Sequence, residues 1–302
     1  MKRRKFLMNG GFTLGALALS SYTSFASVLD NAWAYNIKMI TDNIGVFTEQ
    51  GGTILFSISD AGLVVVDSQF PDPAQHLIDE LKKKSEKPFN LLINTHHHGD
   101  HTSGNIKFKG LVNHVVAHQN SATNQKRVAD EAIKAGKKVT EQYYPDMTFD
   151  KDWKYKSGGE NIKAYYFGAG HTNGDAMIHF PNENVVHMGD LVFNRRFPFI
   201  DKTAGADIHS WIKVLDKATD TFGNKTTYVF GHALDPEKIT GNQEDVKAFQ
   251  NYLEKLLSFV DQEIKAGKSK EEILKATTIP GAEEWKGDGI SRSLDAAYQE
   301  LT

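Results

Sequence analysis

The chain has 302 residues, 40% of them hydrophobic and 24% charged, a globular composition with apolar material for one large core or two modest ones; disordered and collagen-like structure are excluded. Its formal charge of −3 becomes −7 once Lys2, Arg3, Arg4 and Lys5 are set aside, leaving 31 basic against 38 acidic residues, and such an acid surplus excludes a protein that coats nucleic acid through a basic footprint. With no Cys there is no disulfide, thiolate nucleophile or sulfur ligand, so any metal must be held by His and carboxylate.

Residues 1–26 have the order of a signal peptide: basic Lys2–Lys5, apolar Phe12–Leu19, then the small-x-small site Ser24-Phe25-Ala26. Ala32-Trp33-Ala34 is a second cleavage site, which would move the boundary as late as residue 34. The apolar stretch falls short of the roughly 20 residues a membrane-spanning helix needs, so no permanent membrane anchor is expected. Adjacent Arg3 and Arg4, followed by Phe6-Leu7, resemble a twin-arginine signal. That resemblance implies the twin-arginine export machinery as a partner and a periplasmic or secreted location in a bacterium.

Beyond the leader, β-rich runs alternate with helical ones. Ile37–Phe47, Thr53–Ser59 and Leu63–Asp67 read as strands, Pro73–Lys84 as a helix and Leu91–Thr95 as a strand that ends in a His cluster. A strand at Val112–Ala117, a polar helix at Asn120–Ala135, and strands at Ile162–Phe167, Ala176–Phe180 and Val185–Met188 follow. A helix at Ile208–Thr219 and a strand at Thr227–Phe230 complete a domain spanning 35–240. From 241 to 302 the pattern predicts a helical extension packed on that domain, with Phe249, Leu253, Leu256, Leu257 and Val260 as the buried stripe. No phosphate-cradling glycine loop occurs, because Gly10-Gly11 and Gly158-Gly159 are isolated pairs.

Four of the chain's 12 His and one Asp stand within Thr95-His96-His97-His98-Gly99-Asp100-His101. Imidazole and carboxylate are the usual nitrogen and oxygen ligands of zinc, and a turn after a strand can aim residues two apart at one ion while later residues reach another. Three further segments each set a ligand-type residue beside glycine after an apolar run: Gly170-His171-Thr172, Met188-Gly189-Asp190 and Phe230-Gly231-His232. Glycine there lets the backbone pass close beneath a metal. The spacing suits two metals better than one, with a solvated His-rich loop as the bland alternative. His76, His114, His118, His179, His187 and His209 lack such grouping.

With these residues in view, the chain resembles the metallo-β-lactamase superfamily, whose H-x-H-x-D-H signature is matched by His96, His98, Asp100 and His101. The resemblance covers roughly residues 37–235. It implies an α/β fold, a four-layer αββα sandwich with the metals at one edge, here followed by the helical C-terminal extension. It also implies that His96, His98 and His171 hold one metal, that Asp100, His101 and His232 hold a second, and that Asp190 bridges them. Two zinc ions per chain are then the expected cofactor, with iron or manganese as the other candidates. His97 points away from the pair, and Asp67 resembles the family's carboxylate that orients ligand imidazoles through their other nitrogen.

Two cations about 3.5 to 4 Å apart can share a water, lower its pKa toward neutrality and stabilise both oxygens of a displacement, which makes the chain a hydrolase with a small-molecule substrate. Asp100 and Asp190 are the catalytic carboxylates of that reading, Asp100 as partner for the nucleophile's proton. Esters, lactones, amides including β-lactams, and phosphate or sulfate esters all remain open as substrates. The superfamily's thiolate-ligated β-lactamases carry Cys where Asp190 stands and Lys where Phe193 stands. Arg195, Arg196, Phe197 and Phe199, just after Asp190, are the expected lining of the substrate cleft, the arginines as anion clamps or else as a solvated surface pair. Two other readings stand beside hydrolysis: a single-iron persulfide dioxygenase-like enzyme using His96, His171 and Asp190, and a non-catalytic exported metal-binding module.

Overall fold

The computed structural model describes residues 34–302, so the signal peptide expected at 1–26 lies outside the described residues. The chain opens with β1 (Asn36–Met39) and β2 (Ile44–Thr48), paired antiparallel. The run Ile37–Phe47 is thus a hairpin and not one strand. Thr41 Oγ1 accepts from the N–H groups of Asn43 and Ile44, so the hydroxyl closes a turn inside an otherwise β-like sequence.

β3 (Ile54–Ser59) and β4 (Gly62–Val66) extend the antiparallel part. α1 (Pro71–Lys84) then crosses to β5 (Phe89–Asn94), which lies parallel to β4. The short α2 (Gly99–Thr102) precedes β6 (His114–His118), and α3 (Gln119–Lys134) precedes β7 (Met147–Phe149), giving one seven-stranded sheet in the order β1 to β7. His118 caps α3: one ring nitrogen accepts from the Asn120 N–H, and the other donates to the Asp150 carbonyl.

The second sheet begins with β8 (Asp152–Ser157), β9 (Glu160–Tyr165), β10 (Met177–Phe180) and β11 (Val185–His187). After the two-residue β12 (Phe193–Asn194) and α4 (Ile208–Phe222), β13 (Thr227–Val229) joins parallel to β11. β14 (His232–Ala233) pairs with β12 in a sheet of two, and β15 (Thr240–Gly241) closes the six-stranded order β15-β13-β11-β10-β9-β8. The chain ends in α5 (Gln243–Lys265), α6 (Lys270–Ile273) and α7 (Ile290–Leu301), with an irregular stretch between α6 and α7 where a continuous helical pattern was expected.

Alternation along the strands sets the layers, because neighbouring side chains leave a strand on opposite faces. Val64, Val66, Leu91, Ile93 and Val116 meet Ile162, Ile178, Phe180, Val185 and Val229 between the sheets. Their neighbours Leu63, Val65, Leu92 and Val115 face Leu77, Ile78 and Leu81 of α1 instead. On the far side, Met177, Val186, Tyr228 and Phe230 pack under Trp211 and Leu215 of α4 and under Phe249, Leu253, Leu256 and Val260 of α5. The result is the αββα sandwich expected from the resemblance, with the sequence's helical stripe buried in the outer layer. Trp211 is fully buried and donates from its indole to the Leu191 carbonyl at 3.0 Å, which braces the turn that follows β11.

Candidate metal centre

The loops that leave β4, β5, β9, β11 and β13 gather at one edge of the sandwich. Past Asn94 the chain is extended through His98 (φ −64°, ψ 147°), so His96 and His98 face one side and His97 the other. α2 then turns the chain back and presents Asp100 and His101. His171 comes from the loop between β9 and β10, Asp190 from a 3₁₀ turn at Gly189–Leu191, and His232 from β14.

These seven side chains converge. His98 Nδ1 lies 3.1 Å from His96 Nε2 and 2.8 Å from His171 Nε2, and Asp190 Oδ2 lies 3.9 Å from the former and 3.5 Å from the latter nitrogen. Nearby, His232 Nε2 is 3.1 Å from Asp100 Oδ2, and His101 Nε2 is 3.8 Å from it. Asp190 faces this second group too, its Oδ1 3.0 Å from His101 Nε2 and its Oδ2 3.5 Å from His232 Nε2. Two sets of donors, His96/His98/His171/Asp190 and Asp100/His101/His232, are each compact enough to surround one cation. His101 Nε2 and Asp190 Oδ1 are buried, and although close they are not aligned for a hydrogen bond, a pairing that a cation between them would satisfy. The donor set is all nitrogen and oxygen, as zinc, iron or manganese accept.

The far nitrogens of the imidazoles are held as firmly. His96 Nδ1 meets Thr95 Oγ1 at 3.0 Å, His98 Nε2 meets Asp201 Oδ2 at 2.9 Å, His101 Nδ1 meets Asp67 Oδ2 at 2.8 Å, and His171 Nδ1 donates to the Phe199 carbonyl at 2.7 Å. Asp67 also accepts from the Thr95 N–H and hydroxyl, at 2.8 and 2.7 Å, and is fully buried. Its backbone adopts φ 65°, left-handed and costly for a residue with a Cβ, and such strain is typical of functional loops. His187, unsuspected from sequence, fixes the Asp190 turn: Nε2 donates to the Thr53 carbonyl and Nδ1 accepts from the Gly189 N–H, each at 2.9 Å.

Electrostatics prepare the groups as ligands, which must be deprotonated to bind metal. Burial, reinforced by neighbouring imidazoles, depresses His96 well below the usual range and His171 to about 3. For Asp190, burial alone would raise the pKa, but His232, His101 and His96 together hold it well below the usual carboxylate range. Burial would likewise raise Asp100, and His101 and His232 outweigh it. His101 runs the other way: burial would lower it, yet Asp190, Asp100 and Asp67 raise it well above the usual value.

Glycine makes the approach possible. A methyl on Gly231 would overlap Asp190 Oδ1 and sit 2.8 Å from the Gly189 carbonyl, and one on Gly52 would overlap the His101 ring. Gly231→Ala should therefore push Asp190 out of place and lower metal affinity about 10-fold or more, the scale of a displaced supporting group; equilibrium dialysis against zinc checks it, and unchanged binding would refute the crowding argument.

The expected cleft residues separate. Phe199 is 40% exposed, with its ring 5.4 Å from His98 and 6.1 Å from His171, so it stands at the mouth of the cluster. Phe197, 6% exposed, packs instead against Tyr252 of α5, and Arg195 is drawn to Glu284 at 3.1 Å and to the Trp285 ring at 4.9 Å. Both lie against the C-terminal region, where Phe197 N–H donates to the Lys286 carbonyl and turns that stretch inward. Arg196 is exposed on the same stretch, with no hydrogen bond or ion pair among the described residues. His97 faces away from the cluster, its Nε2 3.7 Å from Asp201 and both ring nitrogens without hydrogen-bond partners. Asp201, which no motif singled out, holds His98.

Against known proteins, the family model described as "Metallo-beta-lactamase superfamily" matches residues 48–233. The "Metallo-beta-lactamase type 2" of Elizabethkingia meningoseptica is 24% identical over 226 residues, covering 72% of this chain and 85% of that protein. A metallo-beta-lactamase from Pontibacter korlensis superposes with a TM-score of 0.60 at 21% identity, over 73% of this chain and 99% of that one. The sec-alkylsulfatase Pisa1 from Pseudomonas sp. superposes with a TM-score of 0.68 at 17% identity, over 87% of this chain and 50% of that one. The last match covers more than the residues before 241 can supply, so it runs into the C-terminal helices.

Proposed function

The chain belongs to the metallo-β-lactamase superfamily and is a metallo-hydrolase, and from that premise we propose that it works as an exported binuclear enzyme with zinc as the native metal. The observation that carries this reading is Asp190, whose two oxygens face both donor groups. In this assignment His96, His98 and His171 hold one ion, Asp100, His101 and His232 the other, and Asp190 spans them. Bound there, the pair supplies Lewis acidity that lowers the pKa of water and polarises the substrate's acyl, phosphoryl or sulfuryl oxygen.

The chain's own residues do the rest. Asp100 has 32% of its side chain open to solvent against 4% for Asp190, so Asp100 is the carboxylate that reaches the attacking water and takes its proton. Asp67, Thr95, Asp201 and the Phe199 carbonyl hold four imidazoles in the orientation that aims their near nitrogens at the metals. The exposed Phe199 ring offers the substrate an apolar wall beside His98.

The substrate in this proposal is an ester, lactone, amide, or phosphate or sulfate ester. β-Lactams and secondary alkyl sulfates are included because relatives and structural neighbours carry the names of enzymes for each. No helix among the described residues is long and apolar enough to cross a membrane. The periplasmic or secreted location in this proposal rests on the signal-like order of residues 1–26.

The test is elemental analysis of protein purified without added metal, joined to a panel of a penicillin, an aryl ester, a lactone, a phosphodiester and a secondary alkyl sulfate. Two zinc per chain with hydrolysis that chelation abolishes and zinc restores is the expected result. One iron per chain with oxygen uptake on a persulfide, or tight metal with no turnover, would overturn it.

A further inference from the structure

The stretch from Arg195 to Thr203 is a strap that supplies far-nitrogen partners to two of the three imidazoles in the first donor group. Its Phe199 carbonyl accepts from His171 and its Asp201 carboxylate from His98. The strap follows β12 (Phe193–Asn194) and ends in the 3₁₀ turn Lys202–Ala204, where Asp201 N–H donates to the His171 carbonyl at 3.2 Å and Asp201 Oδ1 accepts from the Thr203 and Ala204 N–H groups. Its other anchors are at the far end of the chain. Phe197 N–H donates to the Lys286 carbonyl at 3.1 Å, and Lys286 N–H donates back to the Arg195 carbonyl at 3.0 Å. Ser293, fully buried on α7, donates from its hydroxyl to the Pro198 carbonyl at 2.8 Å, one residue from the carbonyl that holds His171. Arg292 beside it lies over the Phe199 ring at 5.6 Å, and Lys202 at the strap's end donates to Glu300 of the same helix at 2.5 Å.

We propose that the C-terminal extension sets the affinity of one of the two metal positions: α7, through Ser293 and Arg292, is a positioning element for the His96/His98/His171 group. The second group draws no outer partner from the strap itself: His101 takes its own from Asp67 after β4. The proposal rests on the two-metal reading of the site.

Metal-free full-length chain titrated with cobalt(II) tests it, following visible absorption, which distinguishes a nitrogen-rich site from one richer in carboxylate. Ser293→Ala should weaken the nitrogen-rich phase about 10-fold, at the lower end of what loss of an outer partner costs a metal site, and leave the other phase unchanged. Ser293→Thr, which keeps the hydroxyl, should restore it. Arg292→Ala changes an exposed residue and should weaken the same phase by a few-fold, so it decides the matter should Ser293→Ala fail to fold. Wild-type protein that binds fewer than two cobalt ions would sink the two-metal reading itself. Two ions in wild type with both phases unmoved in the variants, or both weakened alike, would overturn the proposal alone.

Discussion

Asp190→Ala is expected to strip the purified chain of both metals and abolish turnover, while its far-ultraviolet circular dichroism stays that of the wild type. Each donor group loses an oxygen within 3.0 to 3.9 Å of its nitrogens, and His96, His101, His171 and His232 lose the one carboxylate that faces all four. Loss of an outer partner costs a metal site about 10- to 100-fold; removal of a shared ligand should exceed that at both positions. Metal content by elemental analysis and initial rates on the best panel substrate are the readouts. A variant with normal occupancy and rate would contradict the bridging assignment.

Asp67→Asn should be nearly as damaging, although the substitution removes no metal ligand and hardly changes shape. Asp67 receives three donors, the Thr95 N–H, the Thr95 hydroxyl and His101 Nδ1–H. An amide presents one acceptor and one donor, so at least one of those N–H or O–H groups then meets an NH₂. The relief open to His101 is to move its proton to Nε2, the atom that must stay bare to bind metal. Asn tolerates the left-handed backbone at this position, so strain does not account for the loss. We expect metal affinity at the second position to fall about 10- to 100-fold. Nitrogen-15 chemical shifts of His101 should report the exchanged tautomer; a Nδ1–H His101 in the variant would defeat the argument.

The cluster could be read from the chain because its chemistry is concentrated: His96, His98, Asp100 and His101 fall within six residues, and His171, Asp190 and His232 each stand beside a glycine that ends an apolar run. The sandwich was implied by the family that these motifs resemble, while alternation along the chain marked the individual strands. Other parts had no local mark. Asp201 and His187 are single polar residues whose importance comes from partners far along the chain, His98 and Thr53. Phe197 and Phe199 look alike in sequence, yet the bond from Phe197 to Lys286, almost ninety positions on, buries one ring and leaves the other exposed. The hairpin within Ile37–Phe47 did carry a mark, the turn-forming cluster Thr41-Asp42-Asn43, which the β-like residues on either side outweighed and which the Thr41 hydroxyl closes.

The donors around Asp190 come from both halves of the sandwich, His96 to His101 from the loop after β5 and His171, Asp190 and His232 from loops of the second sheet. Ions seated there would rivet one half to the other. On the proposed zinc reading, the apolar seam between the halves could not part without tearing metal from its ligands, so free zinc should raise resistance to unfolding by mass action, roughly 4 kcal/mol at a thousandfold excess over the dissociation constant. Metal supply would then govern how long the folded chain endures as well as whether it turns over.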